Sequence, residues 1–381
     1  MIPNQRSLFS IPDDVTYFNC AYTSPLLKQA EAMGKNAVAQ KTAPWELTTD
    51  LFFSYLNENR ALFATLLGAT PDHVAIIPSV SYGIALAAKN LPVEQGQTIV
   101  VLQDQFPSNI YSWQRLARDR GASIVTVPRP ADGNWTPAVL DAITPQTAIA
   151  ALPNCHWTDG TLIDLKSAGE KSRACGAALV VDGAQSLGAM PFAVSEIQPD
   201  FLITTAHKWL LGPYNYGFCY VSPKWHQGHP LEENWMNREG SEDLTRLVQY
   251  RDRYQHGAKR FDAGEASNFI LSPIAGAALK QILAWGVEAI AATLRARTDA
   301  IAARAVAMGL EVAAGDYRAP HLIGLRHPNG FPDDLPAKLA AAKVYTSARG
   351  DSIRIAPHLY NTNEDVERLF HVLLENRGDI R

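Results

Sequence analysis

Hydrophobic positions between residues 70 and 222 occur in short runs that alternate with segments of helical periodicity. This alternation is typical of a mostly parallel β-sheet covered by helices. Three helices are predicted, at residues 83–89, 109–120 and 164–175, and Gly176 is suited to end the last of them. Seven strands are predicted between these helices and around them, at residues 73–77, 98–102, 123–127, 147–152, 178–181, 200–204 and 216–221.

The alternation of short apolar runs and helical segments gives way to a different pattern after residue 270. Residues 272–310 are rich in alanine and predict one long linking helix. Residues 321–327 and 353–358 predict strands, and residues 361–377 predict an amphipathic helix capped by Asn361 or Thr362. We therefore predict an α/β fold in which a large domain, residues 15–270, carries the seven-stranded sheet. A smaller α+β domain is predicted from residues 1–14 together with residues 271–381.

The composition of the chain excludes several classes of protein. The chain has 381 residues, of which 47% are hydrophobic and 19% charged, and these values are typical of a folded globular protein. A formal net charge of -4 offers no basic surface for nucleic acid. Four cysteines without a CxxC spacing indicate neither a metal site nor a disulfide framework. The N-terminus lacks the apolar core of a signal peptide, and no apolar run reaches membrane-spanning length, so we expect a cytoplasmic protein without a membrane partner.

Unusual polar residues follow five of the predicted strands. Open parallel sheets bind ligands at the carboxyl ends of their strands, and these ends share one edge of the sheet. The sequence therefore predicts a single site at that edge. The five segments are SVS at 79–81, DQFP at 104–107, NCHW at 154–157, DGAQ at 182–185 and TAHK at 205–208.

The segment 79–81 precedes a predicted helix. The free N–H groups and positive dipole end of that helix favour a phosphate, and the Ser81 hydroxyl adds a donor. The alternative is an ordinary helix cap, which the segment taken alone favours. Neither GxxxxGK[ST] nor a GxGxxG after a strand occurs, so a phosphate bound here would not belong to a typical nucleotide.

Asp182 and Lys208 form the second pair of interest. Asp182 follows the apolar run AALVV, and a buried carboxylate needs a partner. It either caps the next turn or holds a proton on a ring nitrogen, as an Asp does in pyridoxal phosphate sites. Lys208 lies 26 residues later, at the next strand end. It either extends to solvent or forms a Schiff base with an aldehyde.

Residues 180–221 resemble the cofactor segment of class V aminotransferase-like pyridoxal phosphate enzymes of fold type I. This group includes cysteine desulfurases, isopenicillin N epimerase-like proteins and kynureninases. The pattern D-x-A-Q, followed by S/T-x-H-K-W/L-x-x-G-P, is specific as a combination, and weaker similarity extends from residues 17–25 to residues 353–369. The resemblance implies pyridoxal 5'-phosphate as cofactor, a small amino acid as substrate, and a homodimer with active sites at the subunit interface.

The resemblance also implies roles for single residues. Lys208 would hold the cofactor as a Schiff base and later transfer protons. Asp182 would pair with the pyridine nitrogen, and Gln185 would hydrogen-bond the ring oxygen. The phosphate would be bound by the Val80 backbone, Ser81, Thr205 and His207. The family's motif at residues 80–81 is closer to Thr-Thr, so one side-chain contact is missing.

Three further residues complete the implied site. Phe106 would stack on the cofactor ring, unless it is an ordinary core phenylalanine. Arg354 would bind the substrate carboxylate, since a guanidinium grips a carboxylate with two hydrogen bonds; otherwise it forms a surface ion pair. Ser267 would contact the cofactor of the partner subunit.

The sequence departs from the desulfurase pattern at two places. Desulfurases need a nucleophilic cysteine ahead of the carboxylate-binding arginine, but the last cysteine here is Cys219, in an apolar strand. Trp157 stands where the asparagine of the desulfurase motif H-x-x-N-x-x-G touches the ring oxygen. It either lines a pocket for a bulkier or apolar substrate or merely packs. His156 is either an additional acid or base or a structural residue.

These features favour an enzyme that binds a small α-amino acid as a Schiff base with the cofactor. Lys208 would remove a proton, and a group would then leave the β or γ carbon, as in a C–S, C–Se or C–C lyase. A class V aminotransferase or an amino-acid epimerase is the alternative, because these enzymes share the whole cofactor site. A catalytically silent protein that binds pyridoxal phosphate is a further alternative, against which the retention of Lys208, Asp182 and Arg354 argues.

Overall fold

The fold is known from a computed structural model that describes residues 1–376. Its strands are β1 (Thr16–Tyr17), β2 (Val74–Ile77), β3 (Thr98–Leu102), β4 (Ser123–Val127), β5 (Thr147–Pro153), β6 (Ala178–Asp182), β7 (Phe201–Thr205), β8 (Gly217–Val221), β9 (Ile323–Arg326), β10 (Val344–Tyr345), β11 (Ser347–Arg349) and β12 (Ser352–Ile355). Its helices are α1 (Lys28–Gln40), α2 (Thr49–Leu67), α3 (Val80–Asn90), α4 (Tyr111–Arg120), α5 (Trp135–Ala142), α6 (Leu165–Cys175), α7 (Val194–Ile197), α8 (Leu271–Trp285), α9 (Val287–Ala307), α10 (Leu335–Ala341) and α11 (Asn363–Glu375).

A seven-stranded sheet forms the centre of the molecule, in the order β2-β8-β7-β6-β5-β3-β4. The pairs among β7, β6, β5, β3 and β4 are parallel, whereas β8 is antiparallel to both of its neighbours. Because β8 reverses direction against both β2 and β7, β2 points the same way as the parallel strands. The carboxyl ends of β2, β3, β5, β6 and β7 therefore share one edge. The predicted sheet is confirmed, and each of its strands begins and ends within one residue of the prediction.

Apart from the edge strand β4, in which Ser123 and Thr126 are exposed, the sheet is buried on both faces. In β2, Val74 and Ile76 belong to one hydrophobic cluster, while Ala75 and Ile77 belong to another on the opposite face. Successive side chains of a strand point to opposite faces, so a strand covered on both sides needs apolar residues at every position. This requirement explains why the strands read as continuous apolar runs.

The helices that flank the sheet begin and end at residues with clear physical causes. Asp164 caps α6, because its Oδ1 accepts hydrogen bonds from the backbone N–H groups of Lys166 and Ser167. Gly176 ends the same helix in the left-handed region, with φ 74°, as predicted. Helix α3 begins at Val80, three residues earlier than predicted.

The predicted long helix at residues 272–310 is interrupted. It is built from α8 and α9, whose axes are bent by 76° at Gly286. Gly286 has φ 77°, which no helix accommodates and which glycine adopts at little cost. No single helix within residues 1–376 has both the length and the apolar character to cross a membrane. The bent pair α8 and α9 together has that length and apolar character, by length and composition only.

The C-terminal part forms a smaller layer. Strands β11, β12 and β9 make a three-stranded antiparallel sheet, and β1 pairs in parallel with β10. Thr362 caps α11 through a reciprocal pair of hydrogen bonds with Asp365, which decides between the two predicted caps. Residue 377, the last of the predicted helix, lies outside the described residues. The division into domains at residues 14 and 270 stays a prediction.

Candidate active site

A cleft of about 500 Å³ opens at the carboxyl edge of the sheet, where the C-terminal part meets it. A smaller cavity of about 30 Å³ continues beneath the cleft. Five residues line both spaces, so the two form one connected site. These shared residues are Val80, Phe106, Trp157, Gln185 and Lys208.

Lys208 lies three residues beyond β7 and is partly buried. Its Nζ lies 5.4 Å from the centre of the Phe106 ring. Burial lowers the pKa of Lys208 to about 8; the nearby Arg354 and Arg349 guanidiniums act in the same direction, while Asp182 opposes them. Far more of the amine is therefore uncharged near neutral pH than in an ordinary lysine, and the uncharged amine is the form that attacks an aldehyde.

Asp182 is the last residue of β6 and lines the inner cavity. Its Oδ1 accepts a hydrogen bond of 3.0 Å from the backbone N–H of Ala184, so it does cap the next turn. Burial raises its pKa, while the Ala184 N–H and Lys208 act to lower it. The same carboxylate thus caps a turn and borders the cavity below Lys208. The two alternatives drawn from the sequence are compatible.

Gln185 has a fixed side-chain orientation. Its Nε2 donates to the Ala21 carbonyl at 3.1 Å, and its Oε1 accepts from the Trp209 indole N–H at 3.0 Å. An indole only donates and a carbonyl only accepts, so the amide cannot be flipped. One N–H of Nε2 remains for a ligand in the cleft. Gln185 therefore presents a donor, which suits an oxygen on a bound ring.

One end of the cleft is suited to a phosphate. Ser79 caps α3 by accepting from the Tyr82 N–H at 3.2 Å, and its hydroxyl lies 2.9 Å from that of Ser81. Here too the cap is compatible with the predicted anion site, because Val80 and Ser81 belong to the first helical turn and line the cleft. A helix N-terminus attracts an anion through its free N–H groups and its dipole.

Thr205 and His207 lie at the same end. The Thr205 hydroxyl is 2.6 Å from Nδ1 of His207. Burial, with a smaller contribution from Lys208, lowers the pKa of His207 to about 4, so its imidazole is neutral at pH 7. A neutral imidazole still donates one N–H to a phosphate oxygen.

Phe106 and Trp157 form an aromatic wall. Their ring centres are 5.4 Å apart at 79°. Phe106 is 38% exposed, which argues against the ordinary core position considered above. The Trp157 indole N–H is already used, since it donates to the Asp104 carbonyl at 2.6 Å. Trp157 therefore offers the cleft its ring and no donor.

His156 is buried away from the cleft. Its ring stacks on Trp135 with centres 5.3 Å apart, and its two nitrogens lie 2.7 Å from the Thr158 hydroxyl and 3.0 Å from the Gln103 carbonyl. Burial, helped by Arg129, lowers the pKa of His156 to about 4. This environment matches the structural interpretation of His156.

Arg354 enters the cleft from β12 and is 1% exposed. Its Nη1 donates to the Trp157 carbonyl at 2.8 Å, while its Nε has no hydrogen-bond partner in the described chain. Burial, and next the charge of Arg349, lower the pKa of Arg354 to about 9. A buried guanidinium with no acidic partner in residues 1–376 is costly, which removes the surface ion pair from consideration.

Several residues that border or support the cleft were not predicted from the sequence, Arg349 and Trp209 among them. Arg349, at the end of β11, also lines it. Trp209 fixes Gln185 from behind, as described above. The sequence held a clue to each of these two residues. Arg349 lies five residues before Arg354, and a buried indole such as that of Trp209 normally has a hydrogen-bond partner.

Ser267 and the cysteines lie outside the reactive arrangement. Ser267 is buried and does not line the cleft of its own chain, so its contact with a partner's cofactor stays a prediction. Cys219 is buried in β8. Cys155 lines the inner cavity, but burial raises its pKa far above the ordinary value, and its thiol faces the Gln185 carbonyl at 3.2 Å. Neither thiol is an activated nucleophile.

The residues present fit pyridoxal phosphate. An amine of lowered pKa, a buried carboxylate and a fixed amide donor surround the inner cavity. A helix N-terminus suited to a phosphate lies at the rim of the same cleft. The buried guanidinium of Arg354, which has no acidic partner in the described residues, lines the same cleft and is complementary to the carboxylate of an amino acid.

Comparison with known proteins defines the class. The model of the class-V aminotransferase family matches residues 35–369, and the chain belongs to this family. The protein is accordingly an enzyme that depends on pyridoxal phosphate.

One curated relative and two solved structures are similar to this chain. The uncharacterised aminotransferase YcbU of Bacillus subtilis (strain 168) is 30% identical over 307 residues, which cover 80% of this chain and 79% of the relative. The apo cysteine desulfurase of Thermococcus onnurineus NA1 superposes with a TM-score of 0.83 at 20% identity, over 99% of both chains. The cystine C–S lyase C-DES, in complex with its product cysteine persulfide, gives a TM-score of 0.82 at 22% identity, over 97% of this chain and 98% of C-DES. At these identities the two solved structures show a common fold.

Proposed function

We propose that this enzyme is a lyase that acts on a small α-amino acid, removes its α-proton and releases a group from the β or γ carbon. The released group would be linked through sulfur, selenium or carbon. The observation that carries the proposal is the placement of Lys208, with a pKa of about 8, in the same cleft as the unpaired, buried Arg354. One residue provides a base, and the other provides an anchor for a carboxylate.

The residues of the inner cavity would hold the cofactor. When bound, pyridoxal phosphate supplies an electron sink that makes loss of the α-proton feasible. Asp182 would keep a proton on the pyridine nitrogen, and its burial and neighbouring charge suit that pairing. The free N–H of Gln185 would donate to the ring oxygen, and Phe106 would cover the ring.

The other end of the cofactor would rest on the phosphate residues. The backbone of Val80 and the hydroxyl of Ser81 would donate from the start of α3, and Thr205 and His207 would add side-chain contacts. The family's motif at residues 80–81 is closer to Thr-Thr. Because Val80 has no hydroxyl, its contact with the phosphate would be made by the backbone alone.

Arg354 would bind the substrate carboxylate with the donors that the protein leaves free. This contact fixes the amino acid at one point, so that its α-carbon lies toward Lys208. The Lys208 amine would then take the α-proton and hold it on Nζ for return to the product or to the leaving group. Trp157 would exclude water from the side of the substrate with its ring.

Two observations favour elimination without a cysteine nucleophile. The sequence contains no cysteine after Cys219, and burial raises the pKa of both Cys155 and Cys219. Cys155 is the one cysteine among the described residues that line the cleft and the inner cavity, so persulfide formation has no suitable thiol there. Among the similar folds, C-DES is named as a cystine C–S lyase, which supports direct cleavage of a C–S bond in this fold.

Transamination is the second candidate. It is favoured by the similarity to YcbU, which is named as an aminotransferase. An aminotransferase or an epimerase would use the same residues and would differ only in where the proton returns. Product analysis distinguishes these reactions.

The experiment is a substrate panel with the holoenzyme. Cysteine, cysteine conjugates and sulfoxides, alanine and kynurenine are each incubated with the protein, and pyruvate, sulfide, keto acids and inverted amino acids are quantified. A lyase releases pyruvate or an equivalent product without an amino acceptor. If keto acid forms only when an acceptor is added, the enzyme is an aminotransferase; racemised substrate alone indicates an epimerase.

We also propose a homodimer, from the family resemblance and from the Ser267 segment. Light scattering of the purified holoenzyme gives the mass directly. A dimer in which Ser267→Trp weakens cofactor binding would support the shared site, and a monomer with full activity would refute it.

A further inference from the structure

Arg349 is a second cationic side chain of the cleft without an assigned partner. It lies at the end of β11 and lines the cleft together with Arg354 on the neighbouring strand β12. Its Nη1 donates to the adjacent Ala348 carbonyl at 2.7 Å, and its Cζ lies 5.7 Å from the centre of the Trp157 ring. No carboxylate in residues 1–376 lies within ion-pair distance of either arginine.

The charges of the site do not balance without ligands. Lys208, Arg349 and Arg354 line the connected spaces, whereas the lining of these spaces includes a single acidic side chain, Asp182, in the inner cavity. Burial lowers the pKa of both arginines, and the charge of Arg349 lowers the pKa of Arg354 further. A ligand that brings negative charge relieves this repulsion.

The anions expected from the proposed function do not occupy Arg349. The phosphate-suited end is formed by Ser81, Thr205 and His207, and the α-carboxylate is assigned to Arg354. A single guanidinium satisfies a carboxylate with two parallel hydrogen bonds, so Arg354 needs no help. Arg349 then remains with free donors beside the Trp157 ring, and both residues line the cleft.

We propose that Arg349 and Trp157 form a subsite for a second negatively charged group, at the end of the substrate side chain. The preferred substrates would be dianionic α-amino acids, with a carboxylate or a sulfur oxyacid distal to the α-carbon. This proposal rests on the proposed function in one respect: the α-carboxylate must bind at Arg354.

The test compares isosteric acid and amide pairs on the holoenzyme. L-aspartate is compared with L-asparagine, and L-glutamate with L-glutamine, by titrating the change in visible absorption of the bound cofactor. The members of each pair match in size and differ in distal charge. The inert pair glutarate and its monoamide is measured by calorimetry, which reports binding without any reaction.

In the wild type we expect at least one acid to bind about tenfold or more tightly than its amide, because a charge-assisted hydrogen bond is lost with the amide. Arg349→Gln brings that ratio close to one, and Arg349→Lys restores part of it. Arg354→Gln weakens acid and amide alike. Arg115→Gln, which removes an exposed arginine paired with Asp119, leaves the ratio unchanged.

Two results would overturn the subsite. One is a wild-type ratio near one for all three pairs; the other is equal weakening of acid and amide by Arg349→Gln, which would assign Arg349 to the α-carboxylate. Failure of the lyase proposal is distinguishable, because a preference for acids can persist when no elimination product forms. If Arg349→Gln does not fold, loss of the acid preference in the wild type with added salt tests the same charge.

Discussion

The two walls of the cleft differ in how far the protein satisfies its own polar groups. On the sheet side, the Gln185 amide is held by Ala21 and Trp209, and the Thr205 hydroxyl is paired with His207. On the C-terminal side, Arg354 has a single hydrogen bond and no acidic partner within residues 1–376, despite being 1% exposed. The sheet side is prepared for a group that stays bound, whereas the C-terminal side leaves charge for a ligand that comes and goes.

This difference has a physical reason. A resident cofactor needs donors and acceptors in fixed positions, and fixing them costs the enzyme nothing in each turnover. A substrate anion must both bind and leave. An unpaired guanidinium gains more from the anion than one already paired with an acid, because no internal ion pair has to be broken.

The largest expected effect comes from the sheet side, at Lys208. Lys208→Ala removes the amine that the proposed function uses as base, and kcat/KM should fall on the order of 10³-fold or more. The visible absorption of the lysine-bound cofactor should disappear while far-UV circular dichroism is kept. Turnover at the wild-type rate in this folded variant would end the catalytic assignment.

The second largest effect is expected on the C-terminal side of the cleft, at Arg354. Arg354→Gln removes a charge-assisted contact of about 1.5–3 kcal/mol, so KM for amino acids should rise about 10- to 150-fold, with a smaller change in kcat. Steady-state kinetics with two unrelated amino acids measure this split. An unchanged KM for both would remove Arg354 from the substrate site.

The pH dependence of cofactor uptake tests the amine itself. Only uncharged Lys208 attacks an aldehyde, and its pKa is lowered to about 8. Below that value the lysine is mostly protonated, so the rate of uptake by the apoprotein should rise about tenfold per pH unit up to about pH 8 and then level off. Stopped-flow absorbance measures the rate. A rise that continues to about pH 10.4, the ordinary lysine value, would show that Lys208 is not perturbed.

The smallest effect concerns Trp209, which supports the cofactor wall from behind. Trp209→Phe removes the N–H that holds Oε1 of Gln185, so the amide gains freedom to rotate. Affinity for the cofactor should fall by about 5- to 10-fold, as expected for one neutral hydrogen bond of about 1 kcal/mol. Gln185→Ala serves as the matched comparison. If both changes act through the same contact, the double variant should be no weaker than Gln185→Ala alone.

Much of this site could be predicted from the sequence, because residues that follow parallel strands lie at the same edge of the sheet. Apolar runs located the strands, and the residues that follow β6 and β7 then had to lie on one edge of the sheet. Asp182 and Lys208 were therefore predicted to be near each other before any coordinates were known. The break of the long helix was harder to predict from the sequence, because Gly286 lies in an otherwise continuous helical pattern.

The sequence by itself determined the strands and the edge of the sheet at which the cleft lies, and it predicted Lys208 as the reactive amine. Only the tertiary structure decided which polar groups are already satisfied. From the sequence, both His156 and Arg354 were candidates for the functional site. In the structure both ring nitrogens of His156 have partners, whereas Nε of Arg354 has none in the described residues. Hydrogen bonds and charge compensation between distant segments depend on three-dimensional contacts, which residue types and local periodicity do not encode.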